Sequence, residues 1–288
     1  MKIFDTIPSL ILIALLSMDS ALAQHSVSLG GNAALRYWSA FSAVQDSGIT
    51  DQQAKQLNAI LDGTAPYDDS KYKELLDKNK LALEIMARAT SLPNCDWGLD
   101  YDLRDDIPME YVRRALVLGR LNVLYAFHLF LEGNKDGGVR ALTAGMRFSH
   151  DVANGGSLFA AVIAKDLLLT HLRAVSGVLQ LEQLSVMQRT RLQQAVAGLG
   201  SHGVDWQAGM KQEMRVLNKP PWQESISLVR VTQAYLASLS DPSQLSKLQQ
   251  LLATLPQPLR DVIPDPKEVI AQKQELDGKL KQTRLVLQ

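Results

Sequence analysis

Residues 107–132 read IPMEYVRRALVLGRLNVLYAFHLFLE and carry the most information about the architecture. Arg120 is the only formally charged residue between positions 115 and 131, so this segment is apolar around almost its whole circumference. Pro108 suits the first turn of a helix, because the backbone of that turn needs no N–H donor. A helix that is apolar on all sides lies in the centre of a domain, with other helices packed around it. We therefore predict one long central helix in this segment.

Helical periodicity also runs through the rest of the chain. Apolar residues recur every three to four positions, and no segment shows the alternation of period two that is typical of a strand. Asn32 is placed to cap a first helix, and Thr50 with Gln53 forms a capping box before a second helix that Gly63 ends. The prediction is an all-α fold of about ten helices, arranged as an antiparallel helical bundle or a short helical-pair solenoid.

The first 23 residues have the order of a secretory signal peptide. Lys2 supplies the positive region, an apolar run follows at residues 7–18, and a small-x-small site ends at Ala23. This order predicts cleavage between Ala23 and Gln24. The apolar run is shorter than the roughly 20 residues that a membrane-spanning helix needs. We therefore predict an exported protein, periplasmic or secreted, with no stable membrane span after cleavage.

The remainder divides into a single all-helical domain, residues 24–265, and a C-terminal polar helix, residues 266–288. Prolines at positions 256, 258, 264 and 266 predict a stiff, irregular connector between the two. The C-terminal helix has a thin apolar stripe, and it either packs on the surface of the domain or mediates association between copies. The stripe consists of Val269, Leu276 and Leu280.

Charge and cysteine content exclude some classes of partner and bond. The chain has 30 basic and 30 acidic residues, so it has no global field that would attract nucleic acid or an anionic membrane. Cys95 is the only cysteine, so an intrachain disulfide is impossible. Because cysteine behaves as a small hydrophobic residue, we expect Cys95 to be buried, the alternative being a bond to another chain.

The acidic stretch CDWGLDYDLRDD, residues 95–106, offers the best candidates for metal ligands. Carboxylate oxygens are what Ca²⁺ prefers, but the spacing lacks the glycine and the closing glutamate of an EF-hand. The alternative is architectural: acids just before Pro108 favour the N-terminus of the long helix, and Trp97 with Leu99 pins the loop to the core. The candidate ligands are Asp100, Asp102 and Asp105.

A few polar side chains interrupt the apolar central helices. A buried charge needs a partner, so we predict that Asp166 forms an ion pair with Arg120, or with an equivalent base, across a helix contact. The functional alternative is that Arg120 binds the carboxylate or phosphate of a ligand. His128 and Glu132 lie at the end of the same helix as Arg120, and His150 lies on a neighbouring helix, so the five residues together form a candidate polar pocket.

Sequence motifs of catalysis are missing. Neither E-x-x-H nor H-E-x-x-H occurs, and no phosphate-binding loop or dinucleotide fingerprint is present. The LGSHG stretch at 199–203 has a leucine where a nucleophile elbow has its first glycine, and it lies in a predicted turn between helices. We predict no cofactor and favour a non-catalytic function.

Three stretches resemble a group of exported helical proteins of soil bacteria such as acidobacteria and planctomycetes. The likeness rests on an NAA-x-x-Y-W helix (NAALRYWSAF, 32–41), a C-D-W turn (CDWGLD, 95–100) and a long arginine-bearing helix that ends in E-G. It covers roughly residues 32–180 and implies an envelope or secreted location but no activity. The helix–EGN–helix passage at 118–150 is loosely tetratricopeptide-like, although no 34-residue repeat recurs.

Our leading hypothesis is a non-catalytic exported helical scaffold that binds another protein or peptide in the bacterial envelope. Stacked helices present long concave surfaces that suit this use. The alternative is an enzyme or small-ligand binder with its site between the central helices, residues 107–180. A third hypothesis is an oligomer that assembles through the C-terminal helix.

Overall fold

A computed structural model describes residues 31–45, 50–99, 110–217 and 226–288. As the sequence predicts, the described residues form an all-α fold; it has twelve α-helices, close to the expected number of about ten. Short 3₁₀ turns at Asp69–Lys71 and Pro242–Gln244 lie ahead of the third and tenth helices. In chain order the helices are α1 (Ala33–Ala43), α2 (Asp51–Leu61), α3 (Lys73–Ala89), α4 (Glu110–Leu131), α5 (Lys135–Ala153), α6 (Leu158–Leu181), α7 (Val186–Gly198), α8 (Trp206–Leu217), α9 (Ile226–Ser240), α10 (Leu245–Ala253), α11 (Gln257–Val262) and α12 (Pro266–Leu287).

The predicted start and stop signals of the first two helices are confirmed. Asn32 caps α1 by accepting a hydrogen bond from the backbone N–H of Ala34 at 3.1 Å. Thr50 and Gln53 form the capping box of α2, each side chain accepting from the backbone N–H of the other residue. Gly63 follows α2 with a φ of 71°, a left-handed conformation that glycine adopts without steric cost.

α4 is the central helix that the sequence predicts. It packs against α1, α3, α5 and α6, and its apolar side chains on several sides, such as Leu118 and Leu124, are fully buried. Among the described residues it is also the one helix long and apolar enough to cross a membrane by length and composition, and 61% of that stretch is buried. The neighbouring helices therefore account for its apolar character.

Close approach of α4 and α6 depends on Gly119. A Cβ at this position would lie 2.5 Å from Cδ2 of Leu167, a distance at which side chains must shift. α5 packs against both helices and so completes a central group of three. α1 and α3 pack together on one side of this group, whereas α7 and α8 pack on α5 and α6 respectively.

The C-terminal helix α12 returns to the body of the molecule. It packs against α6 and α7 as well as α9 and α10, and its predicted stripe of Val269, Leu276 and Leu280 is buried. A solenoid has contacts only between neighbouring repeats, so this return contact is characteristic of a closed bundle. Leu285 and Val286 remain exposed at the end of the helix.

The irregular connector predicted from the four prolines is wrong in part. Residues Gln257–Val262 form α11, which begins directly after Pro256 and has Pro258 in its first turn. Pro266 is the first residue of α12, where the predicted C-terminal helix 266–288 also begins. The first turn of a helix has N–H groups without intrahelical acceptors, so proline loses no hydrogen bond there.

Candidate functional site

Two sets of predicted site residues lie outside the described residues. These are the candidate metal ligands Asp100, Asp102 and Asp105, and the signal cleavage pair Ala23 and Gln24. Within the described ranges, no group of three His, Cys, Asp or Glu side chains is arranged to hold a metal ion.

The side chains of the candidate polar pocket have separate partners. His128 lies with its Nδ1 2.7 Å from Asp69 Oδ1 and its Nε2 3.5 Å from Glu132 Oε1. His150 Nδ1 donates to the backbone carbonyl of Gly203 at 2.8 Å. The sequence therefore predicts one contact that is present, His128 with Glu132. Of the five residues, only His150 lines one of the described cavities of about 330, 430 and 680 Å³.

The predicted ion pair between Arg120 and Asp166 is not formed. Asp166 pairs with its neighbour Lys165 at 3.1 Å, and Lys165 also pairs with Glu275 of α12 at 3.0 Å. Arg120 is partly exposed and has no ion pair in the part of the chain that the structure describes. The C-terminal helix supplies the second carboxylate, and sequence spacing does not reveal that contact.

Two of the three motifs that carry the resemblance, the NAA-x-x-Y-W helix and the C-D-W turn, meet at one buried residue, Asp151 of α5. Tyr37 of α1 donates from its hydroxyl to Asp151 Oδ2 at 2.7 Å. Trp97 of the C-D-W turn donates from Nε1 to the Asp151 carbonyl oxygen at 2.9 Å, and Cys95 Sγ lies 3.6 Å from the same oxygen. Asn32 ties the turn to α1, because its side-chain oxygen also accepts from the backbone N–H of Asp96. These polar contacts hold α1, the turn and α5 together.

Aromatic rings surround this point and exclude water from it. Trp97 stacks on Tyr111 with ring centroids 4.3 Å apart, and Tyr37 meets Phe148 edge to face at 4.8 Å. Burial raises the pKa of the Asp151 carboxyl, although the hydrogen bond from Tyr37 and the charge of Arg147 oppose that change. Burial likewise raises the pKa of the Cys95 thiol. The Cys95 thiol is therefore a poor nucleophile, and the cluster is structural.

Arg147 connects this buried cluster to the surface. Its Nε lies 3.0 Å from Asp151 Oδ1, but the two atoms are not aligned for a hydrogen bond. The Arg147 side chain is 38% exposed, whereas that of Asp151 is fully enclosed. Arg147 thus neutralises a buried acid on one side and lines an open cavity on the other.

That cavity lies between α3, α4, α5 and α7 and has a volume of about 680 Å³. We call it the α5 cleft, because one face of α5 contributes lining residues from Asn134 to Arg147. Since an α-helix rises 1.5 Å per residue, this face is about 20 Å long. The apolar part of the lining consists of Leu83, Ala87, Leu129, Ala141, Ala144 and Ala195.

The charged lining of the α5 cleft is mainly positive. Arg140 and Arg147 come from α5 and Arg191 from α7, against one acid, Glu84 of α3. Arg140 has no ion pair in the described part of the chain, and Arg191 has only a long one, 3.8 Å to Asp136. Guanidinium groups beside an apolar surface bind carboxylates through paired N–H donors. The cleft is therefore suited to an anionic, partly apolar ligand.

A second cavity, of about 430 Å³, lies where α12 meets the turn between α7 and α8. His202 of this turn has its Nδ1 2.9 Å from Asp277 Oδ1, and Lys273 Nζ lies 2.5 Å from the other carboxylate oxygen. Arg284 donates to the backbone carbonyl of Gly200 in the same turn. These contacts attach α12 to the turn, so we assign them to architecture.

Comparison of the chain with protein-family models, curated proteins and solved structures gave no match. The α5 cleft is thus assigned on its own geometry. Sequence reasoning missed its arginines. The available indication was the i, i+7 spacing of Arg140 and Arg147, which places them on one face of a helix. Arg191 is distant in the chain, and only folding brings it to the same cavity.

Proposed function

We propose that this protein is a non-catalytic helical scaffold of the bacterial envelope, and that it binds an acidic segment of another polypeptide in the α5 cleft. The observation that carries the proposal is the set of three arginines, with a single acid, along an apolar cavity open to solvent. Arg140 is exposed and lacks an ion-pair partner in the described chain, so its charge is available to a ligand.

The length of the cleft supports a peptide as the occupant. An extended chain advances about 3.3–3.6 Å per residue, so about six residues match the 20 Å face of α5. Arg140 and Arg147 are seven residues apart on that helix, a separation of about 10 Å. Two acidic side chains three residues apart in the polyproline II conformation lie on the same side of the peptide and have a similar separation, about 9 Å.

The proposal also includes a location in the bacterial envelope and self-association, which rest on different observations. Export is supported by the composition of residues 1–23 and by the resemblance to exported proteins of soil bacteria. The exposed Leu285 and Val286 at the end of α12 support self-association as an additional property.

The test uses fluorescence polarisation with two labelled hexapeptide pools. The first pool has glutamate at positions 2 and 5 and Ala, Leu, Ser or Tyr elsewhere, and the second has glutamine in place of both glutamates. We expect the glutamate pool to bind at least roughly tenfold more tightly, because each carboxylate gains a charge-assisted hydrogen bond. Equal affinity for the two pools would refute the proposal.

Two charge reversals locate the binding site. Arg140→Glu and Arg191→Glu should each weaken binding of the glutamate pool by roughly tenfold or more, whereas Arg189→Glu is the matched control. Arg189 is exposed on the same helix as Arg191 but does not line the cleft. An equal loss in all three variants would indicate a diffuse charge effect instead. Binding of free glutarate with the same dependence on Arg140 would indicate a small-ligand site.

A further inference from the structure

A buried pair, Asn122 of α4 and His171 of α6, lies at the base of the α5 cleft. Asn122 is 2% exposed and lines the cavity, and His171 is completely enclosed. Gly145 of α5 makes room for the pair, because a Cβ at this position would clash with both side chains. Three helices thus enclose a pair of polar groups directly below the proposed peptide site.

The contacts of His171 determine which ring nitrogen carries hydrogen. Its Nδ1 lies 2.8 Å from the Leu167 carbonyl oxygen, which only accepts, so Nδ1 is the donor. Ser149 Oγ, 3.3 Å from the same Nδ1, donates its own hydrogen to the Gly145 carbonyl. Burial lowers the pKa of His171 to about 4, which keeps the ring neutral near pH 7. Nε2 is therefore a hydrogen-bond acceptor.

This tautomer in turn orients the amide of Asn122. Its Nδ2 lies 3.2 Å from His171 Nε2 and 2.9 Å from the Ala141 carbonyl oxygen, both of which accept. Both amide hydrogens are thereby used. The remaining oxygen, Oδ1, has no hydrogen-bond partner among the described residues and keeps a small solvent-accessible surface. It is open to the cleft that Asn122 lines.

We infer that Asn122 is a specificity-determining residue that accepts a hydrogen bond from one main-chain N–H of the bound peptide, with His171 as the positioning residue. This inference rests on the proposed function. A carbonyl oxygen selects donors, and the arginines around it select carboxylates. A ligand that satisfies both has an N–H between acidic groups, as a peptide does, whereas inorganic phosphate and simple dicarboxylates carry no N–H group.

An ester scan of the peptide tests this contact without altering the protein. Each main-chain N–H of one tight-binding hexapeptide from the glutamate pool is replaced in turn by an ester oxygen. We expect one interior position to lose roughly fivefold to tenfold in affinity, the effect of one hydrogen bond. The other interior positions should change less. If the hexapeptide binds and the scan is flat, the inference is wrong while the proposed function stands; if no acidic hexapeptide binds, both are wrong.

A double-mutant cycle identifies Asn122 as the acceptor. The sensitive ester should cause no further loss in Asn122→Ala, because the acceptor is already gone, but should keep its full effect in the control Gln194→Ala. Gln194 lines the same cleft on α7 and is exposed. An undiminished ester effect in Asn122→Ala would overturn the assignment. If Asn122→Ala does not fold, the scan on the unaltered protein still decides whether a main-chain N–H is bound.

Discussion

Charged side chains lie on two faces of α5, and they are buried on one face and exposed on the other. Around Asp151, the carboxylate has a hydrogen-bonded tyrosine and a nearby arginine, and aromatic rings cover it. Along the α5 cleft, Arg140 is exposed and has no ion pair in the described chain. A buried charge must be compensated within the protein, whereas an exposed charge is free to interact with a partner. The contrast separates residues that stabilise the fold from residues that bind.

The strongest test of this contrast is to remove the buried acid. Asp151→Ala leaves the fully buried Tyr37 hydroxyl without an acceptor, and we expect a loss of about 3 kcal/mol in the free energy of unfolding. Asp151→Asn keeps an oxygen for Tyr37 and should lose less than about half of that. Urea denaturation of the two variants measures the difference. Equal losses would mean that the charge, not the hydrogen bond, is what the fold requires.

A smaller effect is expected from the protonation of His171. The pKa of His171 is about 4 in the folded protein and 6.5 in the unfolded chain. Between these two pH values the unfolded chain binds the proton and the folded chain does not. Stability should therefore fall with decreasing pH in this window, by about 2 kcal/mol between pH 7 and pH 4.5. Below the folded pKa the loss should level off.

The comparison for that experiment is His171→Gln, followed by urea denaturation across the same pH range. The acids Asp151 and Glu213 have raised pKa values and contribute the opposite slope, so the difference between the two proteins isolates the histidine. Identical pH profiles of the two proteins would show that folding does not change the pKa of His171, and the permanently neutral ring used to orient Asn122 would lose its support.

We expect the smallest effect on stability from a substitution of Arg140 in the α5 cleft. Arg140→Gln should change the free energy of unfolding by no more than about 0.5 kcal/mol, because no ion pair is lost from the described chain. The same change should weaken binding of the glutamate pool. Thermal or urea denaturation, measured together with peptide affinity, checks both halves. A large loss of stability would mean that Arg140, like Asp151, stabilises the fold.

Local sequence chemistry was sufficient for much of the fold. Asn32, the Thr50–Gln53 box and Gly63 act within a few residues of their own positions, so their roles follow from the sequence alone. The central helix was also predictable, because an apolar circumference has one physical solution in a folded domain. Proline was harder to interpret, since it is compatible with a loop and with a first helical turn, and α11 and α12 use the second option.

The candidate site shows the limit of that local information. The sequence by itself determined the all-α class, the central helix and several helix ends, because these depend on residues that are neighbours in the chain. Only the tertiary structure decided that Arg191 joins Arg140 at one cleft, that Lys165 pairs with Glu275 and that His171 orients Asn122. Helix periodicity specifies which residues face inward but not which helix they meet, and these contacts depend on how the helices pack.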